Sequence, residues 1–169
     1  SYSETTHDAG TIIQNAKNDI FISTAVGNKF LGKYGDIIEE RLKNGIKVRY
    51  MLLDLDRFHE MEEYLHGSGK KGEDIHYSVL KKFEEWEKEY PGLVEAKLFH
   101  GYMTASYIGI DIWKDSPQEY SVFQVMMYQY RTNARRSPIM YVFPQKDEKT
   151  YDTILDSVKN MWKNATSIS

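Results

Sequence analysis

The sequence predicts an α/β domain: a mixed β-sheet of about six or seven strands with helices on both faces. Three observations predict it. Two short apolar runs, residues 20–24 and 46–53, flank a segment with apolar residues at helical spacing, the pattern of a parallel strand pair joined by a crossover helix. Further strand-like segments then follow one another with few helical interruptions. A last segment, residues 150–164, carries an apolar stripe of Ile154, Leu155, Val158, Met161 and Trp162 that needs a sheet to pack against.

In chain order, residues 12–16 read as a short amphipathic helix closing before Asn18-Asp19, and 20–24 as a buried strand ending near Gly27-Asn28. From 34 to 43, Ile37, Ile38 and Leu42 recur at helical spacing, and Asn44-Gly45 supplies a left-handed stop. Residues 46–53 form the second strand, with Asp54 just past it on the same sheet edge as Ser23 and Thr24. Residues 57–66 and 77–90 read as charged amphipathic helices, separated by the glycine-rich spacer 67–72. Strands are expected over 93–99, 104–112, 121–130 and 138–143, the last opening on Pro138, where a proline costs no ladder bond.

At 169 residues the chain fits one domain, and its first residue, Ser1, is what a fragment of a longer polypeptide would show. Net charge is −3 with 28% charged residues, so there is no global basic field, which argues against direct nucleic-acid binding by this domain. The absence of cysteine excludes disulfides, thiolate metal sites and a cysteine nucleophile. No apolar run approaches the length of a membrane span and no leader pattern opens the sequence, so a cytoplasmic protein without membrane contact is expected.

The segment 98–111, Leu-Phe-His-Gly-Tyr-Met-Thr-Ala-Ser-Tyr-Ile-Gly-Ile-Asp, concentrates polar groups on strand-like sequence. Alternation puts Thr104 and Ser106 on one side, and His100 shares their parity if the Gly101-Tyr102 turn keeps register. Three further stretches belong with it: Ala16-Lys17-Asn18-Asp19-Ile20-Phe21-Ile22-Ser23, Gly45-Ile46-Lys47-Val48-Arg49-Tyr50-Met51-Leu52-Leu53-Asp54, and Ser137-Pro138 followed by a helix carrying Trp162. In this order the segments resemble one half of a phospholipase-D-like fold, over most of residues 12–165. The superfamily signature is HxKxxxxD. Laid on Asp111, it puts Thr104 in the histidine slot and Ser106 in the lysine slot.

The resemblance implies an attacking histidine and phosphate-holding lysines in active members, and a hydroxyl does not replace them without a base. The expected function is therefore a catalytically inactive sensor or ligand-binding domain of a bacterial regulatory or defence protein. Its ligand would be small, anionic or nucleotide-like, with no cofactor and no metal. Two such halves pack together in active relatives, which implies a homodimer with a groove along the seam. The expected ligand-binding residues are Thr24, Asp54, His100, Thr104, Ser106, Asp111, Gln124, Tyr128, Arg131 and Arg135. Thr24 and Asp54 enter because ligands of such sheets sit beyond the strand carboxyl ends. The arginines enter because guanidinium forks match phosphate, although they also suit ion pairs at a hairpin end.

Two alternatives stand beside this reading. A divergent phosphodiesterase or nuclease would use His100 as nucleophile, Asp111, and arginine in place of lysine. A dimerisation module would fill the groove with its own side chains. His59, Glu62, Glu63 and His66 share one helix face with metal-like spacing, but a solvated face is expected there. His7 reads as exposed, His76 has no partner in sequence, and Gly69-Lys70-Lys71-Gly72 lacks phosphate-loop spacing and reads as a linker. Tyr102, Tyr107, Tyr120, Tyr128 and Tyr130 crowd the expected groove, where rings could stack a planar ligand or simply half-bury on strands. Gln124 is the odd polar residue of a strand apolar on both faces, which places that strand centrally or under a partner.

Overall fold

Six consecutive buried residues put β1 (Asp19–Thr24) at the middle of a seven-stranded sheet. A computed structural model describes residues 8–25, 28–67, 72–132 and 136–168. The elements are α1 (Ala9–Gln14), β1, α2 (Asn28–Lys43), β2 (Lys47–Leu53), α3 (Leu55–His66), α4 (Glu73–Glu89), β3 (Val94–Phe99), β4 (Ala105–Ile110), β5 (Val122–Met127), β6 (Ile139–Val142), α5 (Glu148–Asn164) and β7 (Thr166–Ser167). The strand order is β6-β5-β4-β1-β2-β3-β7. β1, β2 and β3 are parallel, whereas β4, β5 and β6 form an antiparallel meander on one side and β7 pairs antiparallel to β3 on the other.

The period of two in the strands sorts their side chains onto two faces. Ile20, Ile22, Val48, Tyr50 and Ile110 pack with Ile13 of α1, Ile38 and Leu42 of α2, and Phe83 and Trp86 of α4. Tyr50 and Phe83 stack there with ring centroids 4.0 Å apart. Phe21, Met51, Leu53 and Phe123 face the other way, against Phe58 of α3 and Tyr151, Val158 and Trp162 of α5. Helices therefore cover both faces, as the sequence predicts.

Local chemistry sets the helix ends. Asp8, Asp54 and Asp147 each accept a backbone N–H three residues on, capping α1, α3 and α5. Gly67 ends α3 in the left-handed conformation at φ 74°. α2 starts six residues before the predicted 34, because Gly32 and Gly35 interrupt the helical pattern while Phe30 and Leu31 still pack onto the core. β1 begins one residue earlier than the sequence reading, β2 to β6 are trimmed at their ends, and β7, only two residues long, has too little pattern to be read at all. β5 lies second from an edge rather than centrally.

Two histidine expectations change. His76 is buried, its Nε2 2.8 Å from the Leu53 carbonyl oxygen and its ring against Phe58. The α3 face is not fully solvated either. Glu62 is buried, and His59 pairs with Glu73 of α4 at 2.9 Å. Docking of α4 on α3 supplies Glu73 for His59, and the end of β2 supplies the carbonyl for His76, neither of which a single-helix wheel contains.

Because the order is β4-β1-β2-β3, the chain leaving β3 must pass the ends of β2 and β1 before entering β4. Residues 100–104 make this crossing, and Met103 lands against Ser23, whose hydroxyl lies 3.6 Å from the thioether sulfur. The carboxyl ends of β1, β2 and β3, this crossing and the end of β5 thus share one sheet edge.

Candidate functional site

Parallel register builds the first half of the site. Leu53 of β2 sits opposite Phe99 of β3, so the next residues, Asp54 and His100, leave the sheet side by side. Asp54 Oδ1 caps α3 by accepting the Arg57 N–H at 2.8 Å, and Oδ2 lies 2.7 Å from His100 Nδ1. On the far side of the ring, His100 Nε2 is hydrogen-bonded to the Thr166 hydroxyl. Thr166 is placed there by β7, where it pairs with Leu98. Burial alone would raise the Asp54 carboxyl. The Arg57 amide, the His100 hydrogen bond and the neighbouring positive charge outweigh it and hold the carboxyl below its ordinary value of 3.8.

Arg57 ties this group to the crossing. Its Nε donates to the His100 carbonyl oxygen at 3.1 Å, and its Nη1 donates to Glu60 at 2.9 Å and to the Tyr102 hydroxyl at 3.2 Å. The guanidinium lies 4.3 Å from the centroid of the Tyr102 ring, which is 73% exposed. Beneath it, Leu53, Arg57, Glu60, Met61, Tyr64, Gly101, Tyr102 and Met103 line a cavity of about 170 Å³.

The second half of the site is a group of hydroxyls where β1, β4 and β5 meet. The Thr24 hydroxyl is 2.5 Å from that of Tyr50, and the Tyr128 hydroxyl accepts the Ala25 N–H at 2.8 Å. Burial pushes the Tyr128 phenol up to about 12, against the opposing pull of its hydrogen bonds with Ala25 and Ser106. Burial likewise raises Tyr50, and it raises Tyr107 against a hydrogen bond from Thr104. Thr104 and Ser106 are therefore engaged by phenols. Among the described residues, neither has an imidazole or carboxylate as hydrogen-bond partner.

Of the sequence-predicted residues, the structure brings Thr24, Thr104, Ser106 and Tyr128 together, and Asp54 together with His100, along one edge. It separates Asp111 and Gln124 from them. Asp111 lies at the opposite end of β4 from Thr104, about 23 Å along an extended strand. It is fully buried, and its carboxylate accepts the N–H groups of Lys17, Asn18 and Asp19 at 2.7–3.1 Å. Gln124 sits mid-strand in β5, and its Oε1 accepts the Tyr141 hydroxyl at 3.0 Å. The expected single cleft spanning residues 104, 106 and 111 is therefore corrected, because strand length holds the ends of β4 apart. Residues 100–104 are not strand, which also breaks the parity that linked His100 to Thr104.

Arg131 reaches the same edge but turns onto α3, where its Nη1 donates to the Glu63 carbonyl oxygen at 2.8 Å. Arg135, His7 and residues 69–71 of the spacer lie outside the described residues. Among the described residues no group of three or more His, Asp or Glu side chains is arranged to hold a metal ion. Sequence reading missed Arg57 and Thr166. The Asp-x-x-Arg start of α3 is a local signal that could have found Arg57, whereas the position of Thr166 depends on a pairing 68 residues away from Leu98 in sequence.

No family model and no curated protein sequence matches the chain. Solved structures do match its fold. The archaeal chromatin protein TrmBL2, described as showing a novel mode of DNA binding, aligns with a TM-score of 0.58 at 12% identity, over 93% of this chain and 48% of that one. The phosphatidylserine synthase of Haemophilus influenzae Rd KW20, a phospholipase D-family member, aligns with a TM-score of 0.66 at 12% identity, over 94% of this chain and 36% of its own. The chain thus spans about half or less of the length of these neighbours. At such identity the likeness shows architecture alone: a seven-stranded α/β unit with a phospholipase-D-like fold.

Proposed function

We propose that this chain is a ligand-binding, sensor-type domain on a phospholipase-D-like scaffold, without that superfamily's phosphodiester chemistry, and that it serves a bacterial regulatory or defence protein. One observation carries the reading: the hydroxyls of Thr104 and Ser106 are engaged by Tyr107 and Tyr128 rather than by a base. A group that is neither deprotonated nor beside a proton acceptor is a hydrogen-bonding contact and not a nucleophile.

The ligand in this reading is small and carries an anionic group. Arg57 supplies the cation, at the rim of the cavity beside the exposed Tyr102 ring, and a phosphate there would take the place of the Glu60 carboxylate now paired with it. Tyr102 offers a face on which a base could stack. Thr24, Asp54, His100, Thr104, Ser106 and Tyr128 complete the edge, and a second copy of the chain closing over it makes the proposed homodimer. His100 is disfavoured as a phosphorus nucleophile because both ring nitrogens are already engaged, by Asp54 and Thr166.

Thermal denaturation with a panel of nucleoside mono- and diphosphates, inorganic phosphate and a DNA duplex tests the reading, since a ligand bound only by the native state must raise the midpoint. A nucleotide-dependent rise weakened in Arg57→Ala and in Tyr102→Ala is expected. Stabilisation by duplex alone, or hydrolysis of bis(4-nitrophenyl) phosphate by the pure protein, would overturn it.

A further inference from the structure

Three side chains from distant parts of the sequence stand in one line. Asp54 Oδ2 is 2.7 Å from His100 Nδ1, and the opposite nitrogen of the ring, Nε2, is hydrogen-bonded to Thr166 Oγ1. Proton roles follow from chemistry. An ionised carboxylate only accepts, so Nδ1 carries the proton; in the neutral imidazole Nε2 is then the acceptor, and the Thr166 hydroxyl donates to it. The carboxyl of Asp54 is held in its ionised form by the Arg57 amide and by His100. A hydroxyl, a general base and an orienting carboxylate in this sequence of contacts are the parts of an activated oxygen nucleophile.

We propose that Thr166 is a nucleophile, His100 its general base and Asp54 a positioning residue, and that together they transfer acyl groups from small carboxylic esters, an activity beyond the proposed ligand binding that shares Asp54 and His100 with it. Thr166 Oγ attacks the ester carbonyl carbon while its proton passes to His100 Nε2. The ester C–O bond breaks, and the leaving alkoxide takes that proton from the imidazolium. Water then attacks the acyl-threonine, giving one proton to Nε2, which returns it to Thr166 Oγ as the carboxylic acid departs. Solvent reaches the site, since the His100 side chain is 51% exposed and Thr166 is exposed. The Arg57 guanidinium, bonded to the His100 carbonyl, places a positive charge on the same edge.

Two probes on the 169-residue chain test this: 4-nitrophenyl acetate turnover, and labelling by an alkyl fluorophosphonate mapped by peptide mass spectrometry. The label is expected on Thr166, with fluoride as the leaving group. Thr166→Val and His100→Gln should each lower 4-nitrophenol release by about 100-fold, and Thr166→Ser should restore it. Asp54→Asn, which keeps an oxygen to cap α3, should lower kcat with KM unchanged. Circular dichroism confirms that each variant is folded, and Thr166→Val, on a two-residue surface strand, serves if His100→Gln unfolds. Folded wild-type protein without label on Thr166 would overturn the proposal. So would 4-nitrophenol release that survives Thr166→Val, because an imidazole acting alone would then be its source.

Discussion

The Asp111 carboxylate receives the Asn18 N–H at 2.7 Å across 93 residues of sequence, and the Lys17 and Asp19 N–H groups converge on the same two oxygens at 3.1 Å. Three successive amides form a concave donor site for which the side chain acts as a built-in anion, joining the entry of β1 to the end of β4. Residue 111 adopts φ 53° to reach it. The aspartate that anchors the motif alignment is thus a staple of the fold.

Replacing that staple should be costly. Asp111→Ala leaves three amides, that of Asp19 buried, without their acceptor and puts alanine in the left-handed region, so a loss of about 3 kcal/mol in urea denaturation is expected. Asp111→Asn keeps one acceptor oxygen and suits positive φ, and should lose about half as much. Equal stability of Asp111→Ala and wild type would show that the amides find other partners.

The Tyr50–Phe83 stack predicts a second, purely apolar effect. Phe83 is fully buried, 4.0 Å from Tyr50 and 5.3 Å from Trp86 between ring centroids. Phe83→Ala should cost about 3–5 kcal/mol. Calorimetry should show a lower midpoint, and the contact of α4 with the sheet should exchange amide hydrogen faster.

Alkali should unfold the protein through its phenols. Tyr128 has a folded-state value of about 12 against an ordinary value of 10. The neutral phenol is favoured in the fold, so its contribution is fully present below pH 10 and is lost as pH rises through 12. Thermal midpoints measured from neutral pH upward should fall in that window, less steeply in Tyr128→Phe. A Tyr128→Phe profile identical to wild type would remove Tyr128 from the cause.

Acid acts oppositely on Asp54. Its folded value lies below 3.8, so its contribution is complete above 3.8 and disappears as pH falls through the lower folded value. Asp54→Ala should lose about 1 kcal/mol at neutral pH through the α3 cap, while Asp54→Asn should hold the cap and flatten the acid limb of the stability curve. Parallel acid limbs for Asp54→Asn and wild type would contradict the pairing with His100.

By itself the sequence determined the class of fold and most of its pieces. β1, β2 and α5 were legible because their periods are local: Ile20 to Ile22, Val48 to Leu53, and the stripe ending at Trp162 each carry their own pattern. Asp54 was legible as a carboxylate beyond a strand end, because a strand's direction follows from its neighbours in sequence. What meets it was not. Partners such as Thr166 for His100, Glu73 for His59 and Lys17, Asn18 and Asp19 for Asp111 are set by strand order, register and helix docking, which are properties of pairs of segments. Tertiary structure alone decided that the crossing between β3 and β4 leaves strand geometry, parting His100 from Thr104 and joining it to Asp54. Side-chain parity survives only while backbone pairing continues, and the pairing stops at Phe99.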